Sequence, residues 1–439
     1  MTLNKRANAT LVTKLVAAGA TYGFTFLLAR TMRAEDFGQV AFFLNFALLM
    51  SVFGACGQQM ALLRFLPSRR TTQHSAELRA LLTNSARLTV IGSFLTFVGL
   101  VGAAWVARQV GFFTAYSTTT LLFGLALVLV VGWADFQAHF ARGYHYIQAA
   151  IIPKEILWRL IAGVLVLAFS FAARPTVVPV LIFLLVTLIV LNIAQIRWIK
   201  SKVATPRLSL RRNAPNEPNW RNSIVPFWIT SVSNIFLANA DVICVGLFLG
   251  AEPAAYYFAA NRLAMLLSFF LTSHNVVLGP MLSEAWAWSQ RDQVAELVQN
   301  TTRRTTLLTA VLGGAFFIAA PYVLGLFGPD FVQADLVFRI LVLAAVLNAA
   351  TGPADIVLNM CGFERQAMHA SAIALVVSAA LLVIGALVAG PAGVALAVLV
   401  ATGVRKILYC WQTARLMSMR TDILAPLTPA VRGSREVAF

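Results

Sequence analysis

The sequence predicts an all-α membrane protein of about twelve spanning helices, in two parallel six-helix repeats that form two lobes around a central cleft. Three observations carry this. Of 439 residues, 59% are hydrophobic and only 12% charged, where a soluble chain carries about a quarter charged residues. Apolar runs of roughly 20 residues, enough to cross about 30 Å of hydrocarbon, recur along the whole length. A single sequence offset also brings several loops of the two halves into register.

In order, the runs place helices at 8–30, 38–65, 80–107, 116–141, 147–172, 176–199, 222–248, 253–282, 302–327, 332–359, 366–389 and 391–415. They are helices and not strands because backbone polar groups in lipid must be satisfied within the segment. Lys5 and Arg6 precede the first run, which continues to Ala29 and ends at Arg30, so it is expected to span and not to be a cleaved leader. Between the sixth and seventh runs, 200–221 carries Pro206, Pro215, Pro218 and several basic residues, the composition of a linker. The expected organisation is an N-terminal lobe over 1–199, a cytoplasmic linker over 200–221, a C-terminal lobe over 222–417 and a cytoplasmic tail over 418–439. A further stretch, 284–300, with Trp286 and Trp288, suits a short helix lying at the membrane interface.

Basic residues set the orientation. Lys5, Arg6, Arg69, Arg70, Arg79, Arg142, Lys154, Arg197, Lys200, Lys202, Arg303, Arg304 and Arg365 fall in alternate exposed segments, whereas the intervening loops offer Arg30, Arg33, Arg108 and Arg174. Both termini are therefore expected in the cytoplasm of a cell whose inner membrane holds the chain. The net charge of +17 is explained by these loops and calls for no nucleic acid.

The repeat rests on LLARTMRAEDFGQVAFF from Leu27 and CVGLFLGAEPAAYYFAA from Cys244, which match at an offset of 217. Glu35 then meets Glu252 and Gly38 meets Ala255; Val110-Gly111 meets Phe327-Gly328 at the same offset, and Arg174-Pro175 meets Gly390-Pro391 at 216. Six is an even number of crossings, so both halves start from the same side and the repeats are parallel.

An ionisable residue at bilayer depth costs several kcal/mol unless paired or wet, which makes each one a candidate. Asp241 and Arg262 lie at matching depth on consecutive helices, near mid-membrane, as either a transport pair or a structural one. Ser231, Asn234 and Asp241 form a polar stripe on the seventh helix; Lys14, Ala18, Thr21 and Thr25 form one on the first, and Asn45 and Gln59 share a face of the second. Arg262, Asp241, Lys14, Asn234, Asn45 and Gln59 are thus the expected cleft residues. Asp135, His139 and Arg142 align near the cytoplasmic end of the fourth helix, and Glu155 and Arg159 are spaced as a pair on the fifth; helix-to-helix salt bridges are expected there in preference to a proton relay. Arg64, Arg87 and Arg339 suit snorkelling to the interfaces.

Enzyme signatures are absent: there is no Walker loop, HExxH or GxSxG. Cys56, Cys244, Cys361 and Cys410 stand far apart, with no metal-ligand spacing. No cofactor is expected; coupling to a proton or sodium gradient stays open.

Ala29-Arg30 with Ala34-Glu35-Asp36-Phe37-Gly38, Asp241 to Gly246 with Leu249-Gly250-Ala251-Glu252, Ala259-Ala260-Asn261-Arg262-Leu263, and Leu326-Phe327-Gly328-Pro329-Asp330-Phe331 together resemble the multidrug/oligosaccharidyl-lipid/polysaccharide exporter superfamily, in its oligosaccharide flippase branch. The resemblance spans nearly the whole chain. Met32-Arg33 stand where that branch has Leu-Gly, and Ala255 replaces a second glycine. Twelve helices, where lipid II flippases of the superfamily carry fourteen, argue against that assignment. The resemblance implies flipping of an undecaprenyl-diphosphate-linked oligosaccharide between leaflets for O-antigen, capsule or exopolysaccharide, with membrane lipids and other polysaccharide assembly proteins as the remaining partners. Two other functions compete. A cation-coupled multidrug exporter would show several deep carboxylates, and a polymerase would need a large outer loop.

Overall fold

The structure, a computed structural model, describes residues 3–71, 75–110, 116–144, 146–202 and 220–425; residues 203–219 of the expected linker and 426–439 of the expected tail lie outside the described residues. Every regular element among the described residues is helical. In order they are α1 (Leu3–Thr31), α2 (Ala34–Ala55), α3 (Gln58–Thr71), α4 (Ser75–Gln109), α5 (Thr118–Gly143), α6 (Ile147–Ile151), a π-helical turn (Ile152–Leu157), α7 (Trp158–Ser170) and α8 (Val177–Lys202). They continue with α9 (Trp220–Phe248), α10 (Ala251–Ala287), α11 (Arg291–Ile318), α12 (Ala320–Gly325), a 3₁₀ turn (Pro329–Ala334), α13 (Asp335–Ala350), α14 (Ala354–Met360) and α15 (Glu364–Met417). Seven helices among the described residues are long and apolar enough to cross a bilayer by themselves. The protein is an all-α polytopic membrane protein.

Several passes are interrupted where the sequence pattern alone shows a single run. The second pass breaks between α2 and α3, where Cys56 and Gly57 both have positive φ (47° and 72°). The fifth is α6, the π turn and α7; Pro153 has no N–H to donate to the previous turn, and the widened register begins beside it. α15 holds two passes, as spans 366–389 and 391–415 anticipate. Gly390 (φ 58°, ψ −143°) ahead of Pro391 makes the bend, a conformation open to glycine. The stretch 284–300 is not a separate interfacial helix. α10 runs to Ala287, Ser289 turns the chain with φ 58°, and α11 starts at Arg291, whose guanidinium lies 4.3 Å from the Trp286 ring centre.

The chain forms two compact units, Met1–Ala259 with Gly325–Phe331, and Ala260–Leu324 with Val332–Phe439. In the first, α2 is the central element, packed by α4, α5, α8 and α9, with Phe37, Phe42 and Phe43 fully buried. The matched segments of the repeat meet here: a Cβ on Gly38 would stand 1.7 Å from the Ala251 carbonyl oxygen, so glycine is what lets α2 and the start of α10 touch. Around that contact Phe37 packs edge-on against Phe258 at 5.7 Å, Tyr256 against Phe331 at 5.3 Å, and Arg30 Nε donates to the Leu326 carbonyl at 2.6 Å. α4 turns Val90, Ile91, Phe94, Leu95 and Val98 outward, a face that needs hydrocarbon as its solvent.

In the second unit α11 lies on α13, and α13 and α14 on α15. After Ser418 (φ 53°) the chain doubles back over the middle of α11 and the end of α13: Ile423 N–H donates to the Ala350 carbonyl at 2.9 Å and Thr302 Oγ1 to that of Thr421 at 3.0 Å.

Candidate functional site

One buried polar cluster of the first unit joins three passes. Asp135 lies in the last third of α5, the Thr118–Gly143 span, with its side chain 12% exposed. Its carboxylate pairs with Lys154 Nζ from the π turn and accepts from Gln59 Nε2 of α3. One turn on, His139 Nδ1 donates to the Asp135 carbonyl at 2.8 Å and stands 3.8 Å from the carboxylate. A second bridge, Arg142 to Glu155 at 3.5 Å, runs parallel to the first. Arg159 Nη1 donates to the Glu155 carbonyl at 2.6 Å and its guanidinium lies 4.4 Å from the Trp158 ring centre. Salt bridges between α5 and the fifth pass are what the sequence favoured, although Glu155 reaches Arg142 across the helices and meets Arg159 through its main chain. Lys154, counted from sequence as a loop cation, is instead the counter-ion of Asp135. The π turn presents both Lys154 and Glu155 to α5.

Asp241, on α9, is 6% exposed; its carboxylate accepts from the Val242 N–H at 2.8 Å and from Tyr257 Oη at 3.2 Å. Tyr257, on α10, is fully buried, so this bond ties the two arms of the α9–α10 hairpin within the first unit. Arg262 belongs to the second unit, is half-buried, and has Nη1 3.5 Å from Met265 Sδ. Lys14 and Asn234 are exposed. Of the stripe on α1, Thr21 and Thr25 turn their hydroxyls back to the carbonyls of Ala17 and Thr21. Asn45 is buried and donates to the Ala41 carbonyl at 2.7 Å. Thus Gln59 joins the Asp135 cluster, Asn45 bonds within its own helix, and Lys14 and Asn234 stay at surfaces.

The second unit carries a buried lysine that reading the sequence passed over. Lys406, on α15, has a side chain 4% exposed; Nζ donates to the Gly352 carbonyl at 3.1 Å and lies 3.6 Å from Asp355. Its signal was available, an ionisable residue in the middle of the last apolar run. Neighbouring Tyr409 Oη and Ser371 Oγ share a hydrogen bond of 2.7 Å. Arg339, expected to snorkel, bonds Asp335 at 2.9 Å. Among the described residues, no group of His, Cys, Asp and Glu could hold a metal ion.

The family model described as "Polysaccharide biosynthesis protein" matches residues 4–286, which include Gln59, Asp135, Lys154 and Asp241. The chain belongs to that family. No curated protein sequence matches it. Among solved structures it is similar to a lipid II flippase, MurJ, in an inward closed conformation, with a TM-score of 0.69 at 13% identity over 92% of this chain and 87% of that one. It is similar also to an inward-facing multidrug resistance MATE family transporter of the MOP superfamily, with a TM-score of 0.66 at 16% identity over 90% and 94%. A third likeness is a MOP superfamily transporter from Pyrococcus furiosus, whose binding pocket is described as of reverse polarity, with a TM-score of 0.66 at 15% identity over 94% and 96%. At these identities the likeness is one of fold, and the fold is that of the MOP superfamily transporters. The chain is thus a member of the polysaccharide biosynthesis family with the fold of the MOP superfamily transporters.

Proposed function

We propose that the protein is a flippase, not an enzyme, that moves an undecaprenyl-diphosphate-linked oligosaccharide from the cytoplasmic to the periplasmic leaflet of the bacterial inner membrane by alternating access, for O-antigen, capsule or exopolysaccharide assembly. The observation that carries the reading is the joining of a polysaccharide biosynthesis family to a transporter fold. A diphosphate with its sugars cannot cross hydrocarbon unaided, so polymer assembly from a membrane-bound carrier needs such a step. The two six-helix lobes and the cytoplasmic termini belong to this proposal. Arg262 and Lys14 are the cations assigned to the diphosphate, Asn234 is assigned to the sugars, and Asp241 to a coupling proton or sodium ion. Asn45 and Gln59 support the lining from behind, given their internal hydrogen bonds. A multidrug exporter for cationic compounds fits less well, because Asp135 is already neutralised by Lys154.

Deletion of the gene should leave lipid-linked oligosaccharide trapped on the cytoplasmic face, seen as resistance to periplasmic glycosidase or ligase in spheroplasts. Arg262→Ala at normal protein level should reduce surface polysaccharide at least about tenfold, the loss expected when one charge contact to a phosphate is removed. Surface polysaccharide unchanged in both strains overturns the reading.

A further inference from the structure

The loop Gly325–Phe331 packs with the first unit, while the chain on both sides of it, up to Leu324 and from Val332, packs in the second. Two rings seat it. Phe327 and Phe331 are each 4% exposed. Phe327 meets Phe26 of α1 edge-on at 5.7 Å; Phe331 lies 6.0 Å from Phe37 of α2 and 5.3 Å from Tyr256 of α10, separations at which aromatic pairs attract beyond the area they bury. At the rim Arg30 Nε donates to the Leu326 carbonyl at 2.6 Å, an exposed contact.

The loop is folded on itself. Gly328 N–H donates to the Gly325 carbonyl and Phe331 N–H to the Gly328 carbonyl, both at 3.2 Å, and Gly328 turns the chain at φ 151°, a conformation open to glycine. These bonds stay within the loop, so it can leave its seat without losing its shape. What it gives up on leaving is ring packing and a side-chain bond to a carbonyl, with no helix unwound. On the orientation proposed above, the turns that follow α1, α9 and α12 all face the periplasm, and here they come together. In an alternating-access cycle the two units change their arrangement. A loop tied at both ends to the second unit then has to leave the first or hold it back.

We infer that Gly325–Phe331 is an outer latch. Seated between α1, α2 and the start of α10, as in this structure, it holds their outer ends shut; it lifts away, with Phe327 and Phe331, each time cargo is released outward. This rests on the flippase reading.

Two measurements on the full-length protein test it. The first uses Arg30→Cys with Leu326→Cys, joined in cells by a short bis-methanethiosulfonate, the linked peptide being quantified by mass spectrometry. New surface polysaccharide should fall in proportion to the linked fraction and return with reductant, while either single cysteine treated in the same way should export as the untreated protein does. The second needs no cargo. Phe327→Cys is labelled with a membrane-impermeant maleimide in spheroplasts, against the four native cysteines as background. Adding Phe331→Ala should speed that labelling at least about tenfold, the factor expected when one buried ring no longer holds the seated state. Complete linking with export unchanged overturns the latch and makes the loop a fixed plug. Failure of the pair to link, or labelling no faster with Phe331→Ala, overturns it too. If instead deletion of the gene leaves surface polysaccharide unchanged, the flippase reading falls, and the labelling rates alone still report whether the loop opens.

Discussion

Lys154 in the first unit and Lys406 in the second each sit beside an aspartate where a helix is interrupted, but their surroundings differ. Lys154 and Asp135 are both largely buried, 21% and 12% exposed, and the carboxylate is held further by Gln59. Lys406 is more deeply buried, at 4%, while its partner Asp355 is 41% exposed. Lys406 also caps the carbonyl of Gly352, where α13 has ended and α14 has not begun. The first pair is thus a closed ion pair between passes, in which each charge depends on the other. The second is a lysine anchored to main chain with a carboxylate nearby. Burial of the weaker partner, and not of the lysine, decides how much each bridge matters.

Removing one member of the closed pair is the severest way to break this comparison. Asp135→Leu leaves Lys154 buried without its anion, and should cost about 3–5 kcal/mol, read as a large fall in membrane-integrated protein and in melting temperature of what remains. Asp135→Leu with Lys154→Leu should recover most of it, because two well-packed apolar groups replace a desolvated pair at little net cost. A double variant as unstable as the single one would mean that the cluster is held by Gln59 and His139 and not by the ion pair.

Lys406→Met is the corresponding change in the second unit and should be milder. It leaves the Gly352 carbonyl without its donor, at about 1–3 kcal/mol, while Asp355 keeps contact with water. At the same break Cys410 Sγ and Thr421 Oγ1 both donate to the Thr351 carbonyl, so loosening should extend to the segment Met419–Ala425 that docks there. Hydrogen exchange of Ile423, whose N–H bonds Ala350, is the measurement, and protection unchanged in the variant would detach the lysine from that end of the fold.

Much of the architecture is legible in the sequence, because the bilayer fixes both helix length and the exclusion of charge. The bend at Gly390-Pro391 and the passes either side of it follow from that alone. Interruptions could not be read in this way. Which face Lys154 presents depends on a π turn, whose widened register a 3.6-residue wheel does not contain; counted on such a wheel it is one more loop cation. The match of Gly38 with Ala255 was visible as an alignment, but not that the two segments touch, since pairing across a pseudo-symmetric fold is a tertiary fact. Lys406 shows the opposite case. Its position inside an apolar run was sufficient signal, masked by the more numerous basic residues around it.

The smallest effect belongs to the carboxylate of the second unit, and it discriminates best. Asp355→Asn keeps the shape and removes the charge 3.6 Å from Lys406. With that carboxylate 41% exposed and the lysine still bonded to Gly352, water screens most of the attraction, and the loss should stay at or below about 1 kcal/mol. The melting temperature should then shift by no more than a few degrees, against the much larger shift for Asp135→Leu. If instead Asp355→Asn destabilises as much as Asp135→Leu does, the carboxylate is shielded in the working protein, and the two units hold their lysines in the same way.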